Sequence, residues 1–173
     1  GYVQFAGDGN AVSQADDDKI AHMSVEERDH AFATQPIWKR SLIVLAGPMV
    51  CASSQAVNDW YDRHVDAINE PNRPIPSGRM PGHWGLYIAI LWTFLSLLVA
   101  TALGPWGFGA AAVGLLLAWA YSAPPLRLKG NGWWGNAACG ISYEGLAWVT
   151  GAAVMAGGAM PGGHSLALAA LYS

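Results

Sequence analysis

Charge is missing from most of this chain, and the places where it is missing decide what the chain can fold into. Residues 41–57, 80–126 and 130–173 contain no Lys, Arg, Asp or Glu apart from Glu144. Uncharged runs of roughly 17 to 25 residues are the length an α-helix needs to cross a bilayer. The fold expected is therefore all-α, a polytopic transmembrane helix bundle. Composition agrees: 53% of residues are hydrophobic, 12% are charged and nine are Trp, whereas a soluble domain is about 25% charged. A net charge of −3 then says little about partners, and no nucleic acid is expected among them. Cys51 and Cys139 both lie in apolar runs and read as reduced core thiols, with no zinc or redox spacing around them.

At the end of the first apolar run stands Asn58-Asp59-Trp60-Tyr61-Asp62-Arg63-His64-Val65-Asp66, with three carboxylates in nine residues. On a helix, Asn58, Asp62 and Asp66 stack at i, i+4 and i+8 with Asp59 beside them, so four oxygen-bearing side chains share one face. Carboxylates that converge with no Lys among them repel by roughly a few kcal/mol unless a cation sits between them. All-oxygen ligands, few in number and with room for phosphate oxygens, suit Mg²⁺. Asn58, Asp59, Asp62 and Asp66 are the expected metal ligands, and a phosphate group the expected substrate feature. A solvated acidic helix end is the plain alternative, and the membrane setting argues against it.

In chain order, residues 1–39 are polar and acidic, without the basic start and short apolar stretch of a signal peptide. They read as a leader, mobile or not native to the rest, in which Ser24 and Glu27 can cap a short helix over about 24–33. The first span, Ser41 to Val57, is rich in small residues and carries Pro48, which suggests a kink. Its helix is expected to run on to about Val65. The stretch Asn69 to Arg79 holds Pro71, Pro74 and Pro76 and must be a loop. Arg73 and Arg79 in it are candidate donors to an oxyanion. A second span, about Trp84 to Leu103, breaks at Gly104-Pro105 before a third, about Trp106 to Tyr121. The loop that follows carries Arg127 and Lys129. A fourth span, about Gly132 to Met155, places Glu144 near mid-depth, where an ionisable group is functional or paired. After His164 an apolar run begins a fifth. The two loops on the side of the carboxylates hold Arg63, Arg73, Arg79, Arg127 and Lys129, five of the nine Lys and Arg, which makes that side cytoplasmic.

Asn58-Asp-Trp-Tyr-Asp62-Arg-His-Val-Asp66 resembles the NDxxDxxxD pattern of the UbiA-type intramembrane prenyltransferases. Asp66-Ala-Ile-Asn-Glu-Pro-Asn-Arg-Pro-Ile-Pro-Ser-Gly-Arg79, Tyr121-Ser-Ala-Pro-Pro-Leu-Arg-Leu-Lys129 and Asn131-Gly-Trp-Trp-Gly-Asn136 look like the chlorophyll and bacteriochlorophyll synthase branch. The likeness covers about residues 40–173. It implies a helical bundle, usually of nine spans, with a cavity capped from the cytoplasm of a bacterial inner (intracytoplasmic) membrane. It also implies transfer of a geranylgeranyl or phytyl group from its diphosphate to the propionate carboxylate of a (bacterio)chlorophyllide. Asp59, Asp62, Asp66, Arg73 and Arg79 are then the expected catalytic residues. Asn58, Tyr61, Tyr121, Arg127 and Lys129 are expected to bind substrate, with Trp60 near the pocket.

The family pattern has a span before the acidic motif and a second aspartate-rich motif later. The chain has a polar leader in place of the first and is expected to be about four spans and the start of a fifth from a longer protein, inactive alone. Other UbiA-type enzymes acting on 4-hydroxybenzoate, homogentisate or haem are competing readings. So is a non-catalytic pigment-binding or assembly subunit of a photosynthetic membrane complex, with His64, His83 and His164 as ligands. Pigment-biosynthesis proteins or the complexes receiving the product are the expected partners.

Overall fold

The computed structural model describes residues 36–156 and 159–173, all helix and connecting loop. The leader, with the short helix expected over 24–33, lies outside the described residues, as do Gly157 and Gly158. Helix α1 is Ile37–Asn69, 33 residues long. At 1.5 Å per residue it measures about 50 Å against a hydrocarbon core of about 30 Å, so it outruns its apolar part and carries the acidic face beyond it. It passes through Pro48 as one helix and extends four residues further than expected, to Asn69. The proline-rich segment from Glu70 is a series of turns, as its composition requires.

Helix α2 is Trp84–Ala100, followed by a 3₁₀ turn, Thr101–Leu103, and helix α3, Gly104–Ser122. Among the described residues, two stretches are long and apolar enough to cross a membrane, Arg40–Asn69 and Trp84–Ser122. The second is folded in half. The Trp119 indole N–H donates to Thr93 Oγ1 at 3.1 Å, whereas 26 residues of straight helix would separate them by about 39 Å. Gly104, at φ 76°, supplies the left-handed backbone of the reversal. A short loop and a 3₁₀ turn, Leu128–Gly130, lead to α4, Gly132–Gly140. The Asn131 side chain caps α4 by accepting from the backbone N–H of Trp133 and Trp134. The fourth span is not one regular helix. A five-residue π turn, Ile141–Gly145, separates α4 from α5, Leu146–Met155, and Glu144 sits in that turn. Helix α6, Gly163–Tyr172, packs back on α5, with Tyr172 stacked on Trp148.

Helix α1 packs on α2 and α3, and α3 on α5. Close approach comes from small residues, Ala46, Ala89, Ala100, Ala111 and Ala153, all buried. Ser53 and Ser96, fully buried on α1 and α2, share a 2.9 Å hydrogen bond that fixes the register of the pair. A buried apolar cluster, Ile43, Ala46, Ala100, Leu103 and Ala111, lies at the end of the bundle opposite the acidic motif. At the carboxylate end, buried Val57 and Trp60 are joined by polar contacts.

Candidate functional site

Three segments far apart in sequence meet at the acidic end of α1. Arg73, from the proline-rich loop, donates to Asp59 Oδ1 at 3.0 Å and to Asp66 Oδ2 at 3.3 Å. Lys129, from the loop before α4, donates to Asp62 Oδ1 at 2.5 Å and to Asn58 Oδ1 at 3.1 Å. Arg127 Nη2 stands 3.8 Å from Asp62 Oδ1. The Ser122 hydroxyl, at the end of α3, donates to Asn58 Oδ1 at 3.1 Å. Both loops therefore lie at one end of the bundle, as expected.

Helix geometry explains why these four oxygen-bearing side chains divide into two pairs. Each step of four residues advances about 40° beyond a full turn, and each single residue about 100°. Taking Asn58 as zero, Asp62 lies at about 40°, Asp66 at about 80° and Asp59 at about 100°. Asn58 and Asp62 therefore face Lys129, while Asp66 and Asp59 face Arg73. The pairs differ in energy. Arg73 and Asp59 are each more than 40% exposed, so their bond is worth about 0–1 kcal/mol. Lys129 and Asp62 are 14% and 20% exposed, and their short charge-assisted contact is the stronger. No Lys lies among the carboxylates in the sequence; the fold brings Lys129 to them from 67 residues away.

Among the described residues, no group of three or more His, Cys, Asp or Glu is gathered closely enough to hold a metal ion. The donor set nevertheless fits a hard divalent cation, because Asn58, Asp59, Asp62 and Asp66 offer only oxygen on one helix face. Phosphate oxygens and water would complete its coordination.

Two cavities flank this part of α1. One, of about 860 Å³, runs between α1, α3 and the fourth span from Ile43 to Asn58, with Tyr121 and Cys139 near its polar end. Fifteen residues of helix make it about 22 Å long. Its walls are apolar, interrupted by Ser54, Gln55, Ser142 and Thr150. The other, of about 200 Å³, lies under the proline-rich loop between Asp59, Asp66, Arg73, Ile75 and Gly85.

Not every expected site residue joins this assembly. Arg79 donates to Ser77 Oγ and to the Asn72 carbonyl, binding its own loop together and touching no carboxylate. Tyr61 lines neither cavity and makes an edge-on contact with Trp119. Trp60 is buried against His83 and under the Arg63 guanidinium, outside both cavities. Glu144 is exposed and makes no ion pair or hydrogen bond among the described residues. Ser122 and Gln55 were missed. Ser122 follows Tyr121 in the same motif, and Gln55 sits three residues before Asn58, one turn back on the same face.

The model of the UbiA prenyltransferase family matches residues 30–173. The chain belongs to the UbiA prenyltransferase family. Within that family it is 62% identical over 131 residues to the bacteriochlorophyll synthase 33 kDa chain of Cereibacter sphaeroides, covering 76% of this chain and 43% of that one. It is 58% identical over 145 residues to the protein of the same name from Rhodobacter capsulatus, covering 80% and 48%. The chloroplastic chlorophyll synthase of Oryza sativa is 45% identical over 121 residues, covering 65% and 32%. The chain thus spans less than half the length of the curated relatives it matches. No solved structure matches it. The family is one of integral membrane proteins, in keeping with the two apolar stretches.

Proposed function

We propose that the protein of which this chain is part transfers a geranylgeranyl or phytyl group from its diphosphate to the propionate carboxylate of a (bacterio)chlorophyllide. The observation that carries this reading is the meeting, at Asn58, of an 860 Å³ apolar cavity with the polar cluster in which Ser122 and Lys129 donate to Asn58 and Lys129 donates to Asp62. An isoprenoid tail suits the cavity and a diphosphate suits the mouth. The relatives, bacteriochlorophyll and chlorophyll synthases, suggest the acceptor, and the loop sequences Asp66–Arg79 and Tyr121–Lys129 support the same branch.

The chain's residues divide the work. Asn58, Asp59, Asp62 and Asp66 would hold Mg²⁺, whose chemistry is to neutralise diphosphate oxygens and stabilise them as a leaving group. Arg73, Arg127 and Lys129 present guanidinium and ammonium donors to the remaining oxygens. The allylic C–O bond breaks with its electron pair going to diphosphate, and an oxygen of the propionate closes a new bond to the same carbon. The apolar walls keep water from capturing the allylic cation first. Tyr121, at the polar end of the cavity, stands beside that carbon's position. Arg79 acts by shaping its loop. The basic loops face the cytoplasm of a bacterial inner membrane, and product leaves into the bilayer or to a pigment-receiving complex.

A pigment-holding subunit has no use for the ion-paired carboxylates, and its candidate ligands lie at helix ends. His83 precedes the first residue of α2, its ring tilted against Trp60 and Tyr87, and His164 lies in the first turn of α6. The test is acceptor choice. Membranes carrying the full-length protein, given geranylgeranyl diphosphate, are expected to esterify bacteriochlorophyllide and to leave 4-hydroxybenzoate and homogentisate untouched. Prenylation of either phenol in place of the pigment would overturn the assignment.

A further inference from the structure

Lys129 occupies a place that a diphosphate-binding lysine has no obvious reason to occupy. Its side chain is only 14% exposed, and its ammonium is fastened to two of the protein's own oxygen-bearing side chains, donating to Asp62 Oδ1 at 2.5 Å and to Asn58 Oδ1 at 3.1 Å. Ser122 Oγ stands 3.5 Å away. The loop is bent to achieve this: Arg127 adopts the left-handed region, φ 38°, uncommon for a residue with a side chain, and the 3₁₀ turn Leu128–Gly130 then lowers Lys129 onto α1. One positive charge thus satisfies two of the four oxygen-bearing side chains.

We propose that Lys129 is an internal counterion that holds the place of the divalent cation at Asn58 and Asp62, so that metal and diphosphate can bind tightly only together. This rests on the reading that Asn58, Asp59, Asp62 and Asp66 are the metal ligands. Lys129 and a divalent ion cannot both sit on Asp62 Oδ1 without like-charge repulsion at contact distance. When the ion arrives Lys129 must leave, and an ammonium that leaves a carboxylate at a bilayer edge needs another anion. Diphosphate is that anion. Metal alone therefore meets a site that is already neutralised, whereas metal with diphosphate gives each displaced charge a new partner. The coupling is reciprocal: diphosphate improves the metal's affinity by the same factor as the metal improves that of diphosphate. The device keeps the carboxylate mouth quiet until a complete substrate is present.

The test uses the full-length protein in lipid nanodiscs, with Mn²⁺ as the paramagnetic probe and inorganic diphosphate as the anion. Removing a unit charge at this distance is expected to be worth at least about tenfold in affinity. Lys129→Met is thus expected to bind Mn²⁺ alone about tenfold more tightly than wild type and to lose most of the enhancement that diphosphate produces. Lys129→Arg keeps the charge and is expected to keep weak binding of Mn²⁺ alone. A second measurement needs no variant. In the unmodified protein, Mn²⁺ alone should speed acylation of the Lys129 amine, read by mass spectrometry, and diphosphate should restore its protection. Lys129→Met binding Mn²⁺ no more tightly than wild type, or acylation of Lys129 indifferent to Mn²⁺, would overturn the proposal while leaving the metal site standing. Failure of the metal-site reading looks different: Mn²⁺ would bind equally well to wild type and to Asp62→Asn with diphosphate present, and both ideas would fall.

Discussion

At the scale of single residues, the two arginines of the proline-rich loop, six positions apart, have opposite jobs. Arg73 spans Asp59 and Asp66, and Arg79 ties Asn72 and Ser77 together inside the loop. Arg73→Ala removes a donor from the oxyanion site and leaves two carboxylates facing each other. It is expected to lower kcat/KM for the prenyl diphosphate by about 10²-fold, in line with the loss of a charge-assisted contact of 1.5–3 kcal/mol. Arg79→Ala touches no site oxygen, and its loss is expected to stay below about tenfold, the effect of a loosened loop hydrogen bond of about 0.5–1.5 kcal/mol. Steady-state kinetics of the two variants side by side check this, and equal losses would contradict the assignment. The sequence marked both arginines equally, because proximity along the chain is all that it shows.

At the scale of elements, the helices were legible and their pairing was only partly so. The uncharged runs marked the spans, and the prolines and Gly104-Pro105 marked their ends, because backbone chemistry acts locally. What the pattern of four oxygen ligands on one face did not reveal was its drift around α1. That drift splits the ligands between two loops, each supplying its own cation, and the partner loops are brought in by packing over long sequence separations. The interruption of the fourth span by a π turn at Ile141–Gly145 had no composition signal beyond Glu144 itself. The proline-rich loop owes its seat to a close approach at Gly85, where a Cβ would stand 2.6 Å from Ile75 Cδ1 and 3.2 Å from the Trp60 ring. Ile75 can yield to one methyl, so Gly85→Ala is expected to be mild. Gly85→Val would also press on Trp60 and lift the loop with Arg73, at a cost of about 1–3 kcal/mol as overpacking. The check is thermal unfolding in detergent together with the KM for prenyl diphosphate, which is expected to rise only in the valine variant.

At the scale of the whole molecule, the bundle has an apolar cluster at one end and ion pairs beside buried Val57 and Trp60 at the other, with a long apolar cavity along α1. On the proposed function, this arrangement would set a charged leaving group at the polar end and its hydrocarbon tail within the bundle. Gly114 on α3 lines that cavity, and a Cβ there would meet Leu146 and Val50 only at ordinary contact distances of 3.6 and 3.8 Å. Gly114→Ala is expected to be accepted, whereas Gly114→Phe would fill the space between α1 and the fourth span. The phenylalanine variant is expected to shift preference from geranylgeranyl toward shorter prenyl diphosphates by about tenfold or more, as one or more isoprene units lose their place at about 1–3 kcal/mol per misfit group. Competition between C10, C15 and C20 diphosphates measures the shift; an unchanged preference would mean that the tail lies elsewhere. The most direct measurement of the central claim is esterification of bacteriochlorophyllide by geranylgeranyl diphosphate in the full-length protein, with and without Mg²⁺, comparing wild type with Asp62→Asn. The account predicts Mg²⁺-dependent esterified pigment from wild type and at least about a 10²-fold loss in the variant, the scale of removing one electrostatic stabiliser of a leaving group. Esterification that is indifferent both to Mg²⁺ and to Asp62 would contradict it.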